Sequence, residues 1–177
     1  NQLPPSRQSK EAPQMIKNIF GKTGENVWVE APFHCDYGWN IEVGENFYSN
    51  YNLTILDVGK VTCGKNVQIA PNVSIYTAGH PVHPDSRDSG YEYGIPVTVG
   101  DNVWIGGNTV ILPGVTVGSN VVIGAGSVVS KDIPDNTIAA GNPCKVIRKI
   151  TDEDRIYYFK KQKFDDEAWE EVKNKNK

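Results

Sequence analysis

Val99, Ile105, Ile111, Val117, Ile123 and Val129 recur at every sixth residue without a slip. That period fits neither the 3.6-residue repeat of an α-helix nor the two-residue alternation of a half-buried strand. A second small or aliphatic position follows each by four residues, at Val103, Thr109, Val115, Val121, Ser127 and Ile133. Such spacing suits very short flat strands joined by turns, each sending a side chain into a shared interior. If three strands close one turn of a prism, a coil takes about 18 residues, and successive coils stack as parallel strands about 4.8 Å apart. Gly and Asn, as in Val99-Gly-Asp-Asn-Val103 and Val117-Gly-Ser-Asn-Val121, supply the positive φ angles that tight corners require. The same phase can be read earlier, at Thr23, Val29, Cys35 and Ile41, then Val43, Ser49 and Ile55, then Cys63, Ile69 and Ile75, with a small register slip at each break. The expectation is an all-β column over residues 23–150, a parallel β-helix, preceded by an extension with a short helix over 1–22.

Two stretches leave the pattern. Residues 76–96 are polar, aromatic and punctuated by Pro81, Pro84 and Pro96, which predicts a loop thrown out of the column, and a long loop in a compact repeat is usually functional. After Ile150, Thr151 can cap a helix with Asp154 three residues on, so residues 151–177 are expected to hold a C-terminal helix and a fraying tail from Asn174. At the front, Pro4, Pro5 and Pro13 precede a short amphipathic segment, Met15 to Phe20, ended by Gly21.

Composition narrows the function classes. Eighteen Lys and Arg against 21 Asp and Glu, a net charge of -3, argue against the basic face a nucleic-acid partner needs. No apolar run approaches the roughly 18 residues of a membrane span, and the N-terminus has no basic segment followed by an apolar one. Cys35, Cys63 and Cys144 form an odd set without CxxC spacing, which suits reduced thiols in a cytoplasm. The chain opens on Asn1, which reads as a fragment or a processed form.

The chemistry-bearing residues are few. His80, behind Gly79 and ahead of Pro81, is a candidate general base because imidazole titrates near neutrality; its bland reading is a solvated loop histidine. His34, His80 and His83 could in principle hold a metal, but His34 stands far from the other two and no second short pair exists, so no metal is expected. Asn50 and Asn52 flank Tyr51 outside the inward phase, and Asp36 and Tyr37 follow inward Cys35 in the same way; a turn asparagine or a solvated acid needs no function. Lys131, Lys145, Arg148 and Lys149 gather toward the end of the column, as suits a phosphorylated ligand or simply a solvated face. Trp104 points outward, where a large ring is wasted unless it touches a partner chain or a ligand.

Taken together, Asn46-Phe-Tyr48-Ser-Asn50-Tyr-Asn52-Leu-Thr54, Ile69-Ala-Pro-Asn-Val73, Thr77-Ala-Gly-His80-Pro-Val-His83, Val103-Trp104-Ile-Gly106 and Pro113-Gly-Val-Thr-Val-Gly118 resemble the maltose and galactoside O-acetyltransferases. Gly124-Ala125-Gly-Ser-Val-Val-Ser130-Lys131-Asp-Ile-Pro134 and Ala140-Gly-Asn-Pro-Cys-Lys145-Val-Ile-Arg148 extend the likeness, which runs from about Met15 to Phe164. Phe33-His-Cys-Asp36-Tyr37-Gly38 looks more like the maltose-type members. The resemblance implies a left-handed parallel β-helix, a handedness that runs against the general right-handed rule for crossovers and comes from the likeness alone. It implies a homotrimer with active sites between neighbouring subunits, using acetyl-CoA as co-substrate and no metal. Position by position, His80 matches the catalytic base, Asn50 the acceptor-binding side chain, and Asp36 and Tyr48 acceptor-pocket positions. Trp104 matches a tryptophan lining the shared passage, Gly107 a backbone N–H facing the oxyanion, Ala125, Ser130 and Lys131 coenzyme A contacts, and Lys145 with Arg148 contacts near the nucleotide phosphate.

Two departures stand out. Family members carry a helical N-terminal segment of several tens of residues that includes an acceptor-holding acid, whereas here Glu11 is the sole acid before Glu25. Glu92 stands in the loop where galactoside-type members have an apolar residue, and is expected in the acceptor pocket. The function expected is acetyl transfer from acetyl-CoA to a sugar hydroxyl. Its rivals are acetylation of an antibiotic or other xenobiotic hydroxyl, and a non-catalytic scaffold on the same column.

Overall fold

A computed structural model describes residues 5–175; residues 1–4 and 176–177, the outer ends of the predicted extension and tail, lie outside the described residues. The period-six reading becomes three parallel sheets that the chain visits in rotation. The first holds Val27–Val29, Phe47–Ser49, Gln68–Ile69, Trp104–Ile105, Val122–Ile123 and Thr137–Ala140, and Lys145–Lys149 closes it antiparallel. Phe33–Cys35, Leu53–Leu56, Ser74–Tyr76, Val110–Ile111 and Val128–Val129 make the second. The third consists of Ile41–Val43, Val61–Cys63, Val97–Val99 and Thr116–Val117.

Register turns the repeat into a core. Ser49, Ile69, Ile105, Ile123 and Ala139 face one another in a row down the first sheet. Cys35, Ile55, Ile75, Ile111 and Val129 do so down the second, and Val43, Cys63, Val99 and Val117 down the third. Ile55, Ile75, Ile105 and Ile111 retain no exposure, as the interior of a narrow prism requires. Burial pushes the Cys63 thiol up to about 12, which makes it a poor nucleophile.

The corner between the third and first sheets is a column of asparagines. Asn46, Asn66, Asn102, Asn120 and Asn136 all hold φ between 55° and 58°. Starting from Asn26, each side-chain amide donates to the oxygen of the next, at 2.7–2.9 Å. Asparagine tolerates the left-handed conformation better than other side-chain-bearing residues because its short polar group bonds locally. Asn102→Ala, which keeps the conformation but loses the amide, is expected to cost about 1–2 kcal/mol. Asn102→Gly should cost less, because it removes the strain; paired denaturant melts check the order, and equal losses would mean that the ladder rather than the backbone dominates.

The expected C-terminal helix is present, and the two ends of the chain differ from expectation only in where their helices run. The N-terminal helix, α1, runs Pro5–Ile19 with Pro13 inside it, longer than Met15 to Phe20. Pro5 and Pro13 thus belong to the helix instead of preceding it, and Ile16 and Phe20 bury themselves against the first coil, with the Phe20 ring edge-on to Phe33 at 5.5 Å. Behind Thr151 the predicted capping box does form, but it opens a single 3-10 turn, Asp152–Ile156, rather than a helix. The aromatic run that follows prefers extended backbone, so Tyr157–Phe159 pairs with Gln162–Lys163 as a hairpin and the C-terminal helix, α3, is Asp166–Lys175. None of the described helices is long and apolar enough to cross a membrane.

The register slips have a single location. Cys35 to Val43 and Ile55 to Cys63 are eight residues apart instead of six, and Ile75 to Val99 twenty-four. Every excess falls where the chain passes from the second sheet to the third. One corner of the prism therefore carries the Asp36–Asn40 turn, the Asp57–Lys60 turn and the 76–96 loop stacked on one another.

Candidate active site

The loop is anchored at its root. Thr77 is fully buried; its hydroxyl donates to the Leu56 carbonyl at 2.6 Å and accepts the Gly59 N–H at 2.8 Å. Ala78–Gly79 then pairs antiparallel with Tyr93–Gly94, so the two ends of the loop leave and return side by side. The Tyr93 ring packs against Gly79 so closely that a Cβ there would lie 2.5 Å from the tip of the ring and displace it. Between them the short helix α2, Pro84–Asp88, is capped by His83, whose Nδ1 accepts the Asp85 N–H at 3.2 Å. His83 thus serves the loop's own structure.

His80 stands at the mouth of this neck. Its Nδ1 lies 3.2 Å from the Tyr91 carbonyl oxygen. A carbonyl can only accept, so this contact places the proton on Nδ1 and leaves the lone pair on Nε2. Nε2 faces the Glu92 carboxylate at 4.0 Å. The imidazole and Glu92 are both about half exposed, so a small molecule can reach them.

Asp36 belongs to the same corner. Its carboxyl is held above the usual range by partial burial, then by the nearby charges of Asp57 and Glu92. Asp57 itself is fully buried. Sequence reasoning passed over it, since Leu56-Asp57-Val58-Gly59-Lys60 reads as an ordinary polar turn; the only signal was its place inside a slip. Two coils beyond the 76–96 loop, Ser130 and Lys131 occupy the same corner, exposed, after the second-sheet strand Val128–Val129 and before Ile133, which bridges to Val117 in the third sheet.

The remaining predicted residues lie elsewhere on the column. Asn50, Gly107 and Ala125 sit at the corner between the first and second sheets. Asn50 accepts the Tyr51 N–H on its own side chain at 2.7 Å, and the Gly107 carbonyl accepts from Gly126 at 2.8 Å. Tyr48, Gln68, Trp104, Val122, Ile138 and Arg148 form one outward row of the first sheet, with Trp104 55% exposed. Arg148 grips Asp154 through two bonds of 2.7 Å, which holds that carboxyl well below the usual range and fastens the 3-10 turn to the end of the sheet. Lys145 lies on the same closing strand, exposed. Asp36, His80 and Glu92 are therefore neighbours on one corner, Ser130 and Lys131 lie further along the same edge, and Tyr48, Asn50, Trp104, Gly107, Ala125 and Arg148 stand on another corner and its adjoining face. Among the described residues no group of three or more His, Cys, Asp or Glu side chains is placed to hold a metal ion.

Comparison with known proteins adds four findings. The bacterial transferase hexapeptide (six repeats) family matches residues 96–131, the stretch of unbroken period. Galactoside O-acetyltransferase of Escherichia coli (strain K12) is 54% identical over 149 residues, which is 84% of this chain and 73% of that protein. A solved galactoside acetyltransferase in complex with coenzyme A superposes with a TM-score of 0.90 at 54% identity, over 93% of this chain and 82% of the other. A maltose O-acetyltransferase from Clostridium difficile 630 gives 0.81 at 55%, over 86% and 80%.

Proposed function

Because the chain belongs to the hexapeptide-repeat family of galactoside and maltose O-acetyltransferases, we propose that it transfers acetyl from acetyl-CoA to a sugar hydroxyl, with His80 as general base. The observation that carries the His80 role is the Nδ1 contact to the Tyr91 carbonyl, which fixes the tautomer a base needs. Nε2 takes the proton of the attacking hydroxyl as its oxygen bonds to the thioester carbonyl carbon. The Gly107 N–H is assigned to the oxyanion that forms there, a stabilisation usually larger than the proton transfer itself. Collapse of that intermediate breaks the C–S bond, and the proton on Nε2 passes to the departing coenzyme A thiolate. No covalent enzyme intermediate is needed, since holding both substrates side by side supplies the proximity. Buried Cys63, with its raised thiol, suits a packing role.

Acetyl-CoA is assigned to Trp104, Ala125, Ser130 and Lys131, with Lys145 and Arg148 toward its nucleotide phosphate, and the acceptor to Asp36, Tyr48, Asn50 and Glu92. These residues occupy two different corners of one column. A second copy that sets one corner beside the other would complete the site, which supports a homotrimer with active sites between subunits. The unpaired cysteine count and absence of CxxC spacing support a cytoplasmic enzyme.

Coenzyme A release from acetyl-CoA, followed by thiol colorimetry against a panel of mono- and disaccharides, tests the reading. Acceptor-dependent thiol release is expected. Binding of acetyl-CoA without turnover on any hydroxylated acceptor would instead favour a scaffold built on the same column.

A further inference from the structure

A fully buried carboxylate is costly unless polar groups replace its water, and Asp57 receives its compensation from one short stretch of backbone. Its Oδ1 accepts the N–H groups of Asp36 and Tyr37 at 3.0 and 2.9 Å, and its Oδ2 accepts that of Gly38 at 2.7 Å. Asn40 closes the far side, its side-chain amide donating to the Asp57 carbonyl at 2.8 Å. None of the ion pairs among the described residues includes Asp57. The carboxylate is therefore stabilised by three converging backbone dipoles, and in return the Asp36–Gly38 turn is tied to the wall of the column.

The fold does not demand this arrangement. At the same corner further along, the chain passes from Ile111 to Val117 in the regular six residues, by Leu112-Pro113-Gly114, without a buried acid. The buried charge occurs where the slip has lengthened the corner and where Asp36 is displayed. Gly38 holds φ +86°, and a Cβ there would strike the Ile19 side chain at 2.4 Å, so the turn is braced from the α1 side as well.

We propose that Asp57 is a positioning residue for the acceptor: by clamping the backbone of residues 36–38 it sets Asp36 on the corner shared with His80 and Glu92, and so governs acceptor binding. This rests on the reading that the acceptor sugar is held by Asp36. Asp36 is exposed on that corner, and its carboxyl is raised by burial and then by the nearby charges of Asp57 and Glu92, which places Glu92 within electrostatic reach of it.

Asp57→Asn keeps the size but, whichever way the amide is turned, sets an NH2 donor against at least one of the three N–H groups. Steady-state kinetics on the 177-residue chain should then show the acceptor KM raised about tenfold or more, the scale of one lost directed contact. The acetyl-CoA KM should be unchanged. In an Asp36→Ala background the same substitution should add nothing, because its effect runs through Asp36. If Asp57→Asn does not fold, Asn40→Ala loosens the same turn from its partly exposed side and should move the acceptor KM in the same direction. The proposal is overturned by an unchanged acceptor KM, by both KM values moving together, or by an equal effect with and without Asp36. A wild-type chain that turns over no acceptor overturns the acetyltransferase reading and this proposal with it; wild-type turnover with an unmoved acceptor KM in the variant overturns this proposal alone.

Discussion

His80→Ala is expected to lower kcat by about a hundredfold to ten-thousandfold, the usual worth of a positioned general base. The KM for acetyl-CoA should stay close to wild type, since proton abstraction is an interaction made only as the reaction proceeds. The residual rate would come from juxtaposing the two substrates and from the backbone donor at Gly107, neither of which the substitution touches. The neck of the loop is held by Thr77 and by the Ala78–Gly79 pairing with Tyr93–Gly94, so the variant should fold. Stopped-time thiol release at saturating acetyl-CoA makes the comparison. A raised KM with kcat intact would show that the imidazole binds a substrate rather than accepting its proton, and the assignment of Nε2 would have to be abandoned.

Phe47→Ala should be the most damaging single truncation in the column, at about 3–5 kcal/mol. Phe47 heads the largest fully buried side chains, at 1% exposure, and lies directly against Val27 across the strand pair that joins the first coil to the second. A prism of short strands cannot easily contract over such a hole, because each coil is pinned by hydrogen bonds to the coils on either side. The same strand carries Tyr48 and leads into Asn50, so the loss should also reach the proposed acceptor contacts. Urea unfolding gives the number; a shift under about 1 kcal/mol, the range of well-tolerated core swaps, would mean that the first coils relax far more freely than their pairing suggests.

Much of this could be read from residues alone, because the period of six is dictated by steric facts that leave no choice of partner. Val99, Ile105 and Ile111 had to face inward on successive sheets once the repeat was recognised, and Asn102 and Asn120 had to turn corners. The slips were visible too, but not their meaning: only in three dimensions do the extra residues after Cys35, Ile55 and Ile75 fall on one edge. That edge is why Asp36, His80 and Glu92 meet although 44 residues separate Asp36 from His80. Asp57 escaped because nothing local distinguishes a buried acid from a solvated one; its partners are backbone N–H groups, which every residue possesses. The helix α1 was underestimated because a proline argues against a helix more strongly than a tertiary contact can be foreseen to argue for it. The C-terminal capping box failed as a helix signal because a cap supplies only about 1 kcal/mol, too little against the extended preference of Tyr157-Tyr158-Phe159.

The asparagine ladder carries a consequence for how this molecule ages. Asparagine is the side chain most prone to spontaneous deamidation, which proceeds when the backbone nitrogen of the following residue attacks the side-chain amide, and which small successors permit and branched or bulky ones impede. The positive-φ asparagines at positions 46, 52, 66, 72, 102, 108, 120 and 136 are followed by Phe, Leu, Val, Val, Val, Thr, Val and Thr. The inward residue that fills the prism is thus the same residue that shields its neighbour's amide, and a column built on its most perishable side chain is chemically preserved by the repeat that folds it.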